Sequence, residues 1–205
     1  MMNRRILLVA GAATLVTAGA ARAQLYPTVE EVLFDPEIPV IGNPKGDVTI
    51  AEFFDYQCPY CKRGHPDLLD VVREDGNVRL VMKDWPIFGE PSVHAASLVL
   101  AAGPDYEAVH NALMVTPGRL TKDEVDETLS TAGHDPEKLL SNFRKDRQRI
   151  EGILSRNMDQ ANAFGFKGTP AFLFNTKIHY GALDRHAILV AISEARGQPG
   201  RQKTL

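Results

Sequence analysis

Val48-Thr49-Ile50-Ala51-Glu52-Phe53-Phe54-Asp55-Tyr56-Gln57-Cys58-Pro59-Tyr60-Cys61 carries an apolar, strand-forming run straight into a pair of cysteines. Lys62 to Val72 follows with helical spacing, so the pattern predicts a strand at about Val48–Asp55 and a helix at about Cys58–Val72. A dithiol delivered into the first turn of a helix meets unsatisfied backbone N–H groups and the positive end of the helix dipole. Both favour a thiolate at Cys58. Pro59 suits the first helical position, where its missing N–H costs nothing.

These are the only two cysteines in 205 residues. Two intervening residues make a closed loop too small to remove much unfolded-state entropy, so a structural staple is a poor use for them. Haem attachment would need His after the second cysteine, where Lys62 stands. A structural zinc needs four ligands. No further cysteine is available, and His65, His94, His110, His134, His179 and His186 include no pair at zinc-finger spacing. Redox chemistry at sulfur is the reading left, and it calls for no metal, nucleotide or flavin.

Outward from the dithiol, Pro66 falls inside the helix pattern and predicts a kink. Asp75-Gly76-Asn77 is a turn, and Val78–Met82 reads as a second strand parallel to the first. From about residue 91 to 165 the pattern is helix after helix. It includes a capping box at Thr121-Lys122-Asp123-Glu124 and a long charged stretch after Asp135-Pro136 with a possible break near Gly152. Ala171–Phe174 and Ile178–Tyr180 read as a closing hairpin, and Asp184 caps a last helix. The order β-α-β, helical block, β-β-α predicts an α/β fold of residues 47–90 and 166–205, with residues 91–165 as an inserted helical subdomain. Residues 24–46, rich in Pro and Gly, read as an extended or turning leader.

The chain opens Met1-Met2-Asn3-Arg4-Arg5, continues through a short apolar run, and reaches Ala21-Arg22-Ala23. A basic start, a short apolar stretch and a small-x-small site are the parts of a secretory signal peptide over residues 1–23. An uncleaved anchor is the alternative, against which stands a run interrupted by Gly11, Thr14, Thr17 and Gly19. The Arg4-Arg5 pair also raises twin-arginine export, although its flanks match poorly. The formal net charge is −3, and losing residues 1–23 would remove three arginines and no acid. No basic block suggests nucleic acid.

The segment Phe53 to Arg63 resembles the active-site region of the DsbA-like branch of the thioredoxin superfamily. Lys167-Gly168-Thr169-Pro170-Ala171-Phe172 is similar to the cis-proline segment of that branch, and Tyr180-Gly181-Ala182-Leu183 to its exit into the last helix. The resemblance spans nearly all the chain after the leader, and lies nearest to secreted copper-sensitivity-suppressor and outer-membrane-associated relatives. It implies a thioredoxin fold with an inserted helical domain. Cys58 would form the mixed disulfide and Cys61 would resolve it. Thr169-Pro170 would be a cis peptide beside the dithiol, with Thr169, Pro59 and Tyr60 meeting substrate. Pro-Tyr between the cysteines, in place of Pro-His, brings no cation and implies a milder oxidant.

Glu52, six residues before Cys58 in an apolar strand, is a candidate proton shuttle for Cys61. Lys83 occupies the place of the family's partner lysine. For either, a surface-facing strand charge is the plainer alternative. His65 shares a helix face with Cys61, though exposed packing beside Pro66 is the plainer role.

The function implied is a thiol:disulfide oxidoreductase of the periplasm, acting as a monomer on exported cysteine-containing proteins and recharged by a membrane redox partner. Dithiol oxidation is favoured, with isomerase or reductase as the alternative, because Thr before the cis-proline is more usual among reductive relatives. A non-catalytic peptide-binding chaperone on the same fold is the alternative of another class.

Overall fold

The computed structural model describes residues 26–197. The expected signal peptide at residues 1–23 lies outside the described residues. The chain opens with α1 (Val29–Leu33) and β1 (Val40–Gly42), followed by β2 (Val48–Phe54), α2 (Pro59–Asp75) and β3 (Val78–Asp84). Five helices follow: α3 (Glu90–Leu100), α4 (Tyr106–Met114), α5 (Lys122–Thr131), α6 (Pro136–Lys145) and α7 (Arg147–Ala163), with a short 3-10 turn at Gly103–Asp105. The hairpin β4 (Ala171–Phe174) and β5 (Lys177–Tyr180) and the final α8 (Arg185–Ala195) complete the order.

The strands form one sheet in the order β1-β3-β2-β4-β5. β2 and β3 are parallel, and β1, β4 and β5 join antiparallel to their neighbours. Every residue of β2 and β3 is buried, as expected of strands covered by helices on both faces. Alternation along the strands sorts their side chains between two layers. Phe53 packs edge-on to Trp85, Phe164 and Phe166 on one face. Glu52, on the other face, looks towards Leu68 of α2 and Ile188 of α8.

The expected β-α-β, helical block, β-β-α order is the observed one, with the block running from α3 to α7. The leader differs. Thr28 and Glu31 form a reciprocal capping box that starts α1, and Val32 and Leu33 are buried. β1 pairs with the outer edge of β3, placing Ile41 opposite Leu80. A three-residue strand between Pro39 and Pro44 is too short for any periodicity to reveal. Residues 28–42 are therefore part of the domain and not a leader to it. The break in the charged stretch falls at Asp146 and not near Gly152, which lies inside α7.

Candidate active site

Cys58 is the N-cap of α2, with extended backbone (φ −82, ψ 114), and its Sγ accepts from the Cys61 N–H at 3.4 Å. Pro59 takes the first helical position. The Cys58 N–H donates to the Asp55 carbonyl at 3.0 Å, which closes the turn between β2 and α2. Both cysteines are free thiols and each is 1% exposed. The Thr169–Pro170 peptide is cis, and the Thr169 carbonyl lies 3.2 Å from Cys58 Sγ. Antiparallel pairing of β4 with β2, Ala171 opposite Phe53, brings that loop there.

The two thiols are driven in opposite directions. The Cys58 thiol is lowered to about 6, chiefly by the Cys61 thiol. The Thr169 side chain and the Cys61 and Tyr60 N–H groups add to this, against burial, which acts upward. Cys61 is pushed far above the ordinary thiol range by burial, and then by Cys58 and Glu52. One sulfur is thus poised as thiolate and the other held as thiol, an asymmetry that environment and not residue type creates.

Glu52 is buried, and its Oε2 has no hydrogen-bond partner. Burial, with the Cys58 charge adding, raises its carboxyl to about 8. It lines a cavity of about 10 Å³ together with Cys61, Tyr60 and Pro170. An acid with that affinity beside a thiol that resists ionisation is matched to hold and return a proton near neutral pH.

Lys83 does not join it. Lys83 is in register with Phe53, one residue beyond Glu52, so its side chain enters the opposite layer. Its charged neighbours are Asp35, Arg156 and Arg79, and burial lowers its amine to about 8. The expectation of a Glu52–Lys83 partnership fails because side-chain alternation, fixed by register, puts the sheet between them. His65 also departs from its plainer reading. It is 2% exposed, 2.8 Å from Asn111 Oδ1 through Nε2, with its ring against His110.

Three residues at the site escaped the sequence reading. The buried Asp55 carboxylate accepts from the Gln57 N–H and Ser92 hydroxyl on Oδ1 and from the Ile87 and Phe88 N–H groups on Oδ2, at 2.7 to 3.1 Å. Gln57 Oε1 accepts from the Leu120 N–H at 2.6 Å. The Lys62 amine, also buried, donates to Thr116 Oγ1 at 2.7 Å and to the Gly118 carbonyl at 2.6 Å. Together they clamp the dithiol turn to the helical insert. Their only signal in the sequence is polarity beside an apolar strand, and apart from the Gln57 N–H their partners lie 32 to 63 residues away.

Tyr60 is 57% exposed between the cysteines. With Lys167, Thr169, Pro170 and Tyr180 it lines an open pocket of about 470 Å³ beside Cys58. Among the described residues, no group of three or more His, Cys, Asp or Glu is placed to hold a metal, and no helix is long and apolar enough to cross a membrane.

The thioredoxin family model matches residues 35–194. A thioredoxin-like oxidoreductase from Silicibacter pomeroyi superposes with a TM-score of 0.79 and 37% identity, covering 83% of this chain and 99% of that one. A periplasmic thioredoxin-like protein from Salmonella enterica serovar Typhimurium gives 0.73 and 28%, covering 82% and 95%. Disulfide bond formation protein D of Bacillus subtilis is 28% identical over 68% of this chain and 68% of its own. Sodium/proton antiporters of Salinispora also match, but the chain spans only 29% of their length. With the dithiol at the head of α2, the cis-proline loop against it and a helical block inside the sheet, the chain belongs to the thioredoxin family.

Proposed function

We propose that the protein is a thiol:disulfide oxidoreductase that oxidises dithiols of exported proteins. The observation that carries this reading is the asymmetry of the pair, Cys58 lowered to about 6 and Cys61 raised by burial. In the disulfide form, a client thiolate attacks Cys58 Sγ, a client–Cys58 disulfide forms, and the bond's electron pair leaves on Cys61, which takes a proton from Glu52. A second client thiolate then attacks the client sulfur and expels Cys58 as thiolate. The client gains a disulfide and the protein holds two reduced sulfurs. A sulfur that is stable as thiolate leaves readily, and its stability favours the reduced protein, which makes the disulfide oxidising.

Thr169 and Pro170 flank Cys58, and with Pro59 and Tyr60 they are the groups placed to meet a client. The resemblance and the apolar run ahead of Ala23 support export to the periplasm, where a membrane partner would withdraw the electrons. The short α1 supports a monomer, since its apolar residues Val32 and Leu33 are buried in the domain and not turned towards a second copy.

Equilibrating the Cys58–Cys61 pair with glutathione tests the direction. An oxidase should have a potential above about −200 mV, whereas a value near the ~−270 mV of thioredoxin would favour the reductase. Thr169 ahead of the cis-proline is the one feature on the side of that second reading.

A further inference from the structure

Around the dithiol stand three exposed cations, Arg63, Arg119 and Lys167, and none has an ion-pair partner among the described residues. They come from three different elements. Arg63, in the first turns of α2, lies over the Tyr60 ring at 5.0 Å from its centre. Arg119, in the loop between α4 and α5, lies over Phe88 at 4.7 Å. That loop is held against the site by the Leu120–Gln57 bond, and Phe88 by its N–H to Asp55. Lys167 shares the open pocket with Tyr60, Thr169, Pro170 and Tyr180.

A guanidinium resting on an aromatic face is held in place with its edge free, which lowers the ordering cost of a second partner. Of the acids close by, Asp67, one turn beyond Arg63 in α2, is exposed and has no ion-pair partner among the described residues, but two others are already engaged. Asp55 is buried under four donors, and Glu90, two residues past Phe88, pairs with Lys122 at 3.1 Å. The ring is positive on a chain whose formal net charge is −3, so it is a local feature and not the spill of a basic protein. Its apolar floor, from Tyr60 and Tyr180, is exposed.

We propose that this ring selects client segments whose reacting cysteine is flanked by Asp or Glu. The segment lies extended along the Thr169–Pro170 loop, an apolar side chain rests between Tyr60 and Tyr180, and carboxylates on either side meet Lys167 and the two arginines. At about 3.3 Å per residue, an acid two or three positions from the cysteine reaches the rim. This rests on the oxidoreductase reading and adds the chemistry of the client to it.

The test uses the Cys61→Ser protein and two peptides that share an extended sequence but flank the cysteine with Glu or with Lys. Each peptide cysteine is supplied as its thiopyridyl disulfide. The Cys58 thiolate attacks the peptide sulfur, the Cys58–peptide disulfide forms, and thiopyridine thiolate leaves with the electron pair of the broken bond and is read by absorbance. Each rate is divided by that of the same peptide with uncharged 2-mercaptoethanol and corrected for the Cys58 thiolate fraction. The acidic peptide should react about tenfold faster at low ionic strength. The ratio should fall below about twofold at 1 M salt, where the screening length is ~3 Å. Replacing Arg63, Arg119 and Lys167 together by Glu should invert the preference. Equal rates, or a preference that survives both salt and charge reversal, would overturn the selection and leave the oxidoreductase reading intact. Failure to react with either peptide would overturn both.

Discussion

Cys58 and Glu52 respond to pH in opposite senses, and that opposition can be measured. With its thiol at about 6 against an ordinary 9.0, Cys58 should show thiolate absorbance rising well below neutrality in the reduced protein. Since the Cys61 thiol is the largest cause, Cys61→Ala should move the inflection up by about one unit or more, the equivalent of ~1.4 kcal/mol. The stability that Cys58 lends the reduced fold is complete above its ordinary value and is lost as pH falls through about 6. Glu52 runs the other way. Its carboxyl stays neutral in the folded protein to about 8 but ionises around 4.5 once unfolded, so it costs nothing in acid and progressively more as pH rises between those values. Glu52→Gln should therefore match the parent closely at pH 4.5 and be more stable by up to roughly 5 kcal/mol at pH 9, as read by urea unfolding of the reduced protein. In the parent the two slopes partly cancel, so the variant should also show the steeper rise in stability with pH. A variant as flat as the parent would mean that Glu52 is ionised in the fold.

The loop between α4 and α5 has one apolar anchor, Leu120, half-buried against the core, while Val115 at its start is exposed. Lys62 and Gln57 supply the polar ties. Lys62→Met keeps the aliphatic stem but deletes two hydrogen bonds from a charged donor, each worth ~1.5–3 kcal/mol in such settings. Amide exchange at Leu120 should accelerate at least tenfold, while the global unfolding midpoint moves little because the core is untouched. An unchanged exchange rate would assign the loop's order to some other contact. What the sequence made legible divides along similar lines. β2, α2, β3, the capped α5 and the β4–β5 hairpin could be read because their signals are local: alternation, capping residues and turn residues. The Cys58–Cys61 pair and Thr169–Pro170 could be read for the same reason. The side of the sheet on which Lys83 lies, and the partners of Asp55, Gln57 and Lys62, depend on register and on residues distant in sequence, and no local pattern carries that. The Thr28–Glu31 capping box was a local signal too, overlooked among the prolines around it.

Taken together, the fold gives residues 28–42 a structural duty. Val32, Leu33, Ile38 and Ile41 are each no more than 4% exposed. At about 1.5–3 kcal/mol for each buried aliphatic side chain, their loss rivals the ~5–15 kcal/mol that holds a domain together. A chain begun at Asp47 should therefore lose cooperative thermal unfolding, whereas one begun at Gln24 should keep it. If both melt alike, β1 and α1 are decoration. The sheet order has a further consequence, one of timing. β4 sits beside β2, yet the whole helical insert is made between them, and Thr169 follows Cys58 by 111 residues. A chain made from its N-terminus therefore exposes both sulfurs long before the loop that flanks them exists. Through that interval the cysteines are ordinary peptide thiols, open to any passing oxidant, and they acquire their selectivity only when one of the last segments to be synthesised closes over them.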